Sequence, residues 1–513
     1  MRTKGAIHRI LHILFYLLIA VLLLFSAAGA SMADWLEEVF QTTFREIIYT
    51  YRLGLRGADT SFLRPSLTAC LNGILFAAVL LLAVILADVL LTGYFSRRNE
   101  EKGQPGCSRF RRRYRAAVLV CCLLLAANTF LYADQVLKIS PFLKSRFINT
   151  SLYEKEYVDP ASVSITLKGE PRNLILIYLE SMEITYADHK SGGAHQINII
   201  PGLTALALEE DTISFGEPGV VSGIHALTGT TFTTGAILAS TSGVPFAFRQ
   251  GRNMMVLEDA FAPGLITLGD ILEGYGYRQV FMCGSDAEFG GREMLMEEHG
   301  DFEIFDYYTA IVKGYIASDY NVWWGLEDHI LYEMAKDELL ELAAGGQPFN
   351  FTMLTVDTHH VGGYVCPWCG DEFHDETANV IACADRQICA FIAWCREQDF
   401  YENTTIVILG DHPRMDKALV SGVPYYNRAT YNCLINADTH GRTVEQKRIA
   451  TIVDMFPTIL AALGFEIEGD RLGLGVDLCS DTPTLAEEKG YGWLNAEAGK
   501  NSKYYQENFT KER

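Results

Sequence analysis

Four short apolar runs, each ending abruptly in acidic, imidazole or small polar residues, constrain the fold of this chain more than any other feature. Leu174–Leu179 ends in Glu180 and Ser181, and Val280–Met282 ends in Cys283-Gly-Ser-Asp286. Phe351–Val356 ends in Asp357-Thr-His359-His360, and Thr405–Leu409 ends in Gly410-Asp411-His412. Continuous apolar runs of this length, rich in β-branched residues, read as buried strands of a parallel sheet. In open α/β sheets, ligands bind outside the carboxyl ends of the strands. The four runs therefore predict one sheet edge dressed with metal-binding and phosphate-binding groups, and an enzyme site there.

At 513 residues the chain exceeds a single core. Its charge is acidic, with 42 Lys and Arg against 63 Asp and Glu. That excess argues against a nucleic-acid partner, since phosphate backbones are bound by basic patches. There is no glycine-rich loop of nucleotide-binding spacing, so no nucleotide is expected.

The apolar residues are unevenly spread. Ile10–Ala30, Leu71–Phe95 and Ala116–Tyr132 read as three membrane spans, because about twenty apolar residues cross a hydrocarbon core. The basic loop 96–115 carries Arg97, Arg98, Lys102, Arg109, Arg111, Arg112, Arg113 and Arg115. With Arg2, Lys4 and Arg9 at the start, the positive-inside rule puts both segments in the cytoplasm and everything after about Asp134 outside. Ala28-Gly-Ala30 also resembles a signal-peptide cleavage site, an alternative that leaves the later residues outside as well. Trp35, Leu36, Val39, Phe40, Phe44, Ile47, Ile48 and Tyr51 recur at helical spacing, which predicts an amphipathic helix lying in the interface or on the spans.

The expected organisation is a transmembrane region over 1–134, a linker over 135–171, a catalytic domain over 172–480 and a peripheral polar tail over 481–513. From Arg172 strands alternate with helical stretches, which argues for an α/β domain with a largely parallel sheet.

Cys366-Pro-Trp-Cys369 has the spacing of a zinc or redox pair, yet no second Cys pair follows at zinc-ribbon spacing. Outside the cytoplasm disulfides form, so a local bridge stiffening the loop after His360 is the expected state. A structural metal and unpaired thiols are the alternatives. Cys383, Cys389 and Cys395 share roughly one helix face, where core packing is the default.

A hard divalent cation takes carboxylate oxygens and imidazole, which Glu180, Asp411 and His412 supply from two strand ends. Each alone has an ordinary reading, as a helix cap or a solvated strand end; their joint occurrence favours a metal. A nucleophile is offered by Thr228-Gly-Thr-Thr-Phe-Thr-Thr-Gly235, a hydroxyl-rich loop before a helical start. A threonine there faces the positive end of the helix dipole and backbone N–H groups suited to phosphate. Spacing does not choose among the five threonines, and a capping loop without chemistry is the plainer reading.

Taken in order, "LIYLES", "FTTGAILASTSGVPF", "FMCGSDAEFGGREMLMEEHG", "TVDTHHVGGY" and "TIVILGDH" resemble the membrane-anchored phosphoglycerol transferase branch of the alkaline phosphatase/sulfatase superfamily. That branch includes lipoteichoic acid synthase and the periplasmic glucan phosphoglycerol transferase, and the doubled histidine and Gly-Gly-Arg segment are more similar to the glucan enzyme. The resemblance covers roughly residues 172–465 and implies a sulfatase-like α/β domain. It implies Glu180, Asp411 and His412 as ligands of one divalent metal, foremost Mn²⁺, with Zn²⁺ or Mg²⁺ as alternatives. Thr233 becomes nucleophile and fourth ligand, with Thr234 or Thr231 as fallback. His359 falls at a substrate-site histidine that serves as acid and base, and Arg292 at a headgroup arginine, beside Asp286 and His360.

The implied reaction moves a phosphoglycerol group from phosphatidylglycerol through a phospho-threonine to a glucan or glycerol-phosphate polymer outside a bacterial cytoplasmic membrane. Lipoteichoic acid synthase has a histidine near the position of Cys283 and a tryptophan near Gly290, so headgroup contacts differ here. A sulfatase proper is disfavoured because no Cys/Ser-x-Pro-x-Arg context surrounds Thr233. A phosphoethanolamine transferase or an inactive membrane sensor are the remaining readings.

Overall fold

The computed structural model describes residues 2–40, 42–53, 63–101, 108–247, 260–320, 322–323, 325–359, 361–424 and 427–511. Its contacts divide the chain into two units, Met1–Ile47 with Thr60–Leu143, and Ile48–Asp59 with Lys144–Arg513.

The first unit is built on α1 (Arg2–Val39), α3 (Leu63–Glu101) and α4 (Ser108–Leu137), with α2 (Phe44–Leu53) beginning just after α1. Three stretches, Ile10–Val39, Leu63–Arg98 and Arg109–Leu137, are long and apolar enough to cross a membrane. They run well beyond the apolar runs that announce them, because polar and charged residues extend each helix past its apolar centre. Ile19, Leu23, Ala77 and Cys122 form the small buried core between them. Asp88 of α3 is buried and accepts hydrogen bonds from Arg111 and Arg115 of α4, at 3.2 and 3.0 Å, and from Tyr16 of α1. A carboxylate is expensive at membrane depth and so is held by partners from the neighbouring helices. The amphipathic helix expected over Trp35–Tyr51 is not continuous. Its first half completes α1, and a new helix starts at Phe44, where Thr43 and Glu46 exchange capping bonds that satisfy the free N–H groups.

In the second unit twelve strands lie among the described residues. In chain order they are β1 (Ile165–Leu167), β2 (Asn173–Leu179), β3 (Thr212–Ile213), β4 (Gly223–Ile224), β5 (Arg278–Cys283) and β6 (Glu303–Phe305). Then come β7 (Phe349–Leu354), β8 (Thr404–Gly410), β9 (Thr430–Ile435), β10 (Phe465–Ile467), β11 (Arg471–Leu472) and β12 (Gly475–Val476). The main sheet has the order β3-β9-β8-β2-β7-β5-β6, with β4 also on β9. The four apolar runs are its contiguous middle, β8-β2-β7-β5, and every pairing among them is parallel. Only β9 runs against this direction, pairing antiparallel with β8, β3 and β4.

Along β2, Leu174, Leu176 and Tyr178 enter one buried cluster, while Ile175, Ile177 and Leu179 enter the other. This alternation is the pleat, and both faces are apolar because both are covered. Helices Thr233–Ser242 and Met455–Ala462 pack into the first cluster; Asp328–Ala344 and Glu376–Arg396 pack into the second. The register pairs Leu179 with Gly410 and Tyr178 with Leu354, so the strands end level and release their next residues at one edge.

Two expectations about the flanks fail. Among the described residues, 481–511 form no peripheral tail: Leu485, Ala486, Leu494, Tyr505 and Phe509 are buried in the main core. The apolar residues that hold them there are spaced too widely to stand out in a polar segment. Within 135–171, expected as a linker, Tyr153 packs on Tyr505 and Phe509, and β1 pairs with β10.

Candidate active site

Beyond β2 the chain turns sharply. Ser181 takes the left-handed conformation, φ 52°, which turns the chain just after Glu180. Gly410 closes β8 where a Cβ would lie 1.8 Å from the Met182 carbonyl oxygen, so only glycine permits this approach. Glu180, Asp411 and His412, all 2% exposed or less, then stand together. His412 Nε2 lies 3.5 Å from Glu180 Oε1 and 3.4 Å from Asp411 Oδ2. Its Nδ1–H donates to the Pro413 carbonyl at 3.0 Å, which fixes the tautomer and leaves the Nε2 lone pair toward the carboxylates.

Asp411 Oδ1 is fully engaged, accepting from the N–H groups of Ser181 and His412, both at 2.8 Å. Its Oδ2 is buried without a hydrogen-bond partner. Burial first, and then the charge of Glu180, push the Asp411 carboxyl up to about 7. Two buried carboxylates, an aimed imidazole nitrogen and an orphaned oxygen make a donor set that fits a hard divalent cation, and these three residues have ligand atoms close enough to share one ion.

Thr233 opens the ten-residue helix Thr233–Ser242, and no side chain caps that end. Its Oγ1 donates to Glu180 Oε2 at 3.3 Å and lies 3.5 Å from His412 Nε2. Two other hydroxyls of the loop are engaged elsewhere. Thr228 donates to Asn495, Thr230 closes a turn on Leu227, and Thr234 is buried beside Gly290.

The loop after β7 is tied to the same edge. Glu180 N–H donates to Thr355 Oγ1 at 3.0 Å, and Thr358 Oγ1 donates to the Glu180 carbonyl at 2.6 Å. His359 follows directly, half-buried, with its ring edge-on to Trp323 at 6.1 Å. His360 lies outside the described residues. On the far side of the sheet centre, Arg292 is buried and donates to Ser285 Oγ at 2.9 Å and to the Asp286 carbonyl at 2.7 Å, while its Nε has no partner. The Asp286 carboxylate caps the turn by accepting from Glu288 N–H. Gly290, with φ 70°, touches Thr234 so closely that a Cβ would come within 2.7 Å of Thr234 Oγ1. The Gly290-Gly291-Arg292 segment therefore abuts the start of the threonine helix.

Several residues with a part in this arrangement escaped the sequence reading. Behind the cluster, Arg414 makes a two-pronged pair with Asp416 (2.6 and 2.7 Å) and donates to the Thr358 carbonyl. Arg428 grips Glu183 in the same way, at 3.0 and 2.5 Å. Glu183, Arg414 and Asp416 lie only a few residues from a predicted ligand, but nothing local distinguishes such pairs from surface charge. Asp357 and Asp328 are also buried side by side; burial first, then Asp328, push the Asp357 carboxyl up to about 10. The Cys366 and Cys369 sulfurs are 3.7 Å apart, too far for the expected bridge, whose bond length is about 2.0 Å. Cys383 leaves the helix core to contact Cys366 at 3.8 Å, whereas Cys395 is buried in the core as expected.

Against known proteins, the chain is 31% identical over 335 residues to phosphoglycerol transferase I of Escherichia fergusonii, covering 62% of this chain and 40% of that protein. It is 30% identical over 323 residues to phosphoglycerol transferase I of Xanthomonas axonopodis pv. citri, covering 61% and 44%. The chain thus spans less than half the length of either relative in these matches. The crystal structure of the lipoteichoic acid synthase LtaP from Listeria monocytogenes superposes with a TM-score of 0.47 and 17% identity, covering 62% of this chain and 79% of that one. The sulfatase family profile matches residues 172–465, more than half of the chain and the whole of the site described above. The chain belongs to the sulfatase family.

Proposed function

We propose that this protein is a metal-dependent phosphoglycerol transferase, taking the headgroup of phosphatidylglycerol onto Thr233 and passing it to a glucan or glycerol-phosphate polymer outside a bacterial cytoplasmic membrane. The observation that carries this reading is the Thr233 hydroxyl, at a helix N-terminus and within 3.5 Å of both Glu180 and His412. The name shared by the relatives, phosphoglycerol transferase, agrees with it.

Glu180, Asp411, His412 and Thr233 would hold the cation, with Mn²⁺ the first choice. When bound, the cation lowers the pKa of the threonine hydroxyl and offsets charge on the phosphoryl oxygens. The uncapped N–H groups of the Thr233 helix orient the phosphate. As the bond from Thr233 Oγ to phosphorus forms, the hydroxyl proton leaves along the hydrogen bond to Glu180, and the bond to the diacylglycerol oxygen breaks. His359 protonates that oxygen. In the second half-reaction His359 takes the proton of the acceptor hydroxyl as it attacks phosphorus, and Thr233 leaves and regains its own proton. Arg292 serves the glycerol-phosphate headgroup through its unpaired Nε–H, with Asp286 and His360 as the other headgroup residues of this reading. The three apolar helices would tether the chain to a membrane, and such confinement raises the effective concentration of a lipid donor.

The test is incubation of the purified chain with Mn²⁺ and labelled phosphatidylglycerol, phosphatidylethanolamine or a sulfate ester. Diacylglycerol release from phosphatidylglycerol alone, lost in Thr233→Ala, is the expected result. Release that survives Thr233→Ala removes the nucleophile assignment, and preference for phosphatidylethanolamine transfers the reading to a phosphoethanolamine transferase.

A further inference from the structure

The thiols near the His359 loop lie apart from the carboxylate site and have no part in the chemistry above. Cys366 and Cys369 belong to the loop that follows β7, and Cys383 stands on the second turn of helix Glu376–Arg396. Their sulfurs lie together, with Cys366 Sγ 3.7 Å from Cys369 Sγ and 3.8 Å from Cys383 Sγ. One turn further along the helix, the Gln387 amide nitrogen is 3.3 Å from Cys383 Sγ and 4.0 Å from Cys366 Sγ, while its oxygen is buried without a partner. Rotating this amide by half a turn exchanges the two atoms and aims the oxygen at the sulfurs.

We propose that Cys366, Cys369 and Cys383 are the thiolate ligands of a structural Zn²⁺, with the Gln387 amide oxygen closing the tetrahedron. Zinc–sulfur bonds of about 2.3 Å in tetrahedral geometry require sulfurs about 3.8 Å apart, the spacing of Cys366 from each of the other two, and all three lie within 4.8 Å of one another. The sequence spacing is Cys-x2-Cys-x13-Cys-x3-Gln. It matches the familiar zinc pattern of a Cys pair, a gap of about 12–15 residues and a second pair about four residues apart on a helix, with Cys and Gln in the positions of the last two ligands. Thiolates favour Zn²⁺ over the hard cations suited to the carboxylate cluster, so the two sites sort different metals.

The ion would fasten the loop to the helix, and the loop in turn supports His359. Tyr364, two residues before Cys366, stacks on Trp323 at 5.7 Å, and Trp323 meets the His359 ring. The Tyr364 N–H also donates to the Asp357 carbonyl at 2.7 Å. Zinc here is a positioning device for the loop and touches no substrate.

The experiment uses the full chain in detergent, purified without reducing agent. Thiol blocking with an excess of an organomercurial should release about one Zn²⁺ per chain, read with a chelating dye. Reconstitution with Co²⁺ should give a thiolate-to-cobalt charge-transfer band in the near ultraviolet, which an oxygen and nitrogen site lacks. Both signals should vanish in Cys383→Ser and persist in Glu180→Ala, so they report on this site and not on the transferase reading. Unmodified protein that yields no zinc on thiol blocking and no cobalt band, or a peptide map showing a Cys366–Cys369 disulfide, overturns the proposal without needing any variant to fold.

Discussion

Two buried ionic clusters sit two or three residues apart on the same two chain segments, and they are built on opposite rules. Glu180 and His412 belong to one, Glu183 and Arg414 to the other. In the second, two carboxylates face two guanidinium groups, and every Glu183 and Asp416 oxygen is engaged. Burial would push the Asp416 carboxyl up, yet Arg414 beside it brings the net shift down. In the first, two carboxylates have only one imidazole between them, one oxygen has no partner, and Asp411 is pushed up. On the proposed reading the balanced cluster is scaffold and the unbalanced one the metal site, because burying uncompensated charge costs stability that a bound cation would return.

Substitutions in the two clusters should therefore separate activity from stability. Glu180→Ala or Thr233→Ala should lower transferase turnover on the order of 10³-fold or more while leaving the thermal midpoint of metal-free protein unchanged or slightly raised. Arg428→Ala should do the reverse in kind. It strands the buried Glu183 carboxylate, and losses of about 3–5 kcal/mol follow from breaking one side of such a pair, measurable by denaturant unfolding of the second unit. A thermal midpoint lost in Glu180→Ala but kept in Arg428→Ala would reverse the assignment of the clusters.

The next effect is smaller and depends on pH. The folded-state pKa of Asp411 lies above its unfolded value of about 3.9, so its contribution to metal-free stability is complete below that value and fades as pH rises toward about 7. In chelator, wild type should therefore lose stability relative to Asp411→Asn between about pH 4 and 7, on the order of 1–3 kcal/mol. With Mn²⁺ present the trend should invert, since the cation requires the deprotonated carboxylate and binds more tightly as pH rises. Thermal midpoints across this window, with and without Mn²⁺, decide it. A chelated wild type that gains on the variant as pH rises would contradict an unbalanced cluster.

The sequence reveals the unbalanced cluster more readily than the balanced one, for a physical reason. Glu180 and Asp411-His412 each follow a continuous apolar run, and such runs declare both their burial and their direction. Once β2 and β8 are parallel neighbours, their next residues must meet. Arg428 and Asp416 follow no such run, and their pairing depends on how two loops fold back. Choosing Thr233 from its neighbours likewise needs the rotation of a helix, which spacing does not give. The residues after 481 mislead because Leu485, Leu494, Tyr505 and Phe509 are buried from short helices with polar sequence between them. The thiols mislead because a Cys-x2-Cys pair looks the same whether it bridges or binds.

The mildest probe of the contrast is Ser181, which belongs to the unbalanced cluster but carries no charge. Its Oγ donates to Glu180 Oε1 at 2.8 Å, and its N–H donates to Asp411 Oδ1. Ser181→Ala removes only the first bond and leaves the backbone at φ 52°, where alanine is no better suited than serine. A hydrogen bond to a buried charged group contributes about 1.5–3 kcal/mol, but in metal-free protein Glu180 also accepts from Thr233, so the stability loss should fall near the low end. Cation affinity should respond to two opposed effects. Freed of its serine donor, Glu180 Oε1 becomes a better electron-pair donor but a less well-oriented one, and orientation dominates for a site whose ligands arrive from two strands. The expected result is Mn²⁺ binding weakened about tenfold by calorimetric titration, with the second unit still folded. Binding that is unchanged would mean that the paired strand ends alone orient Glu180, and that the hydroxyl serves only to satisfy a carboxylate oxygen in the metal-free state.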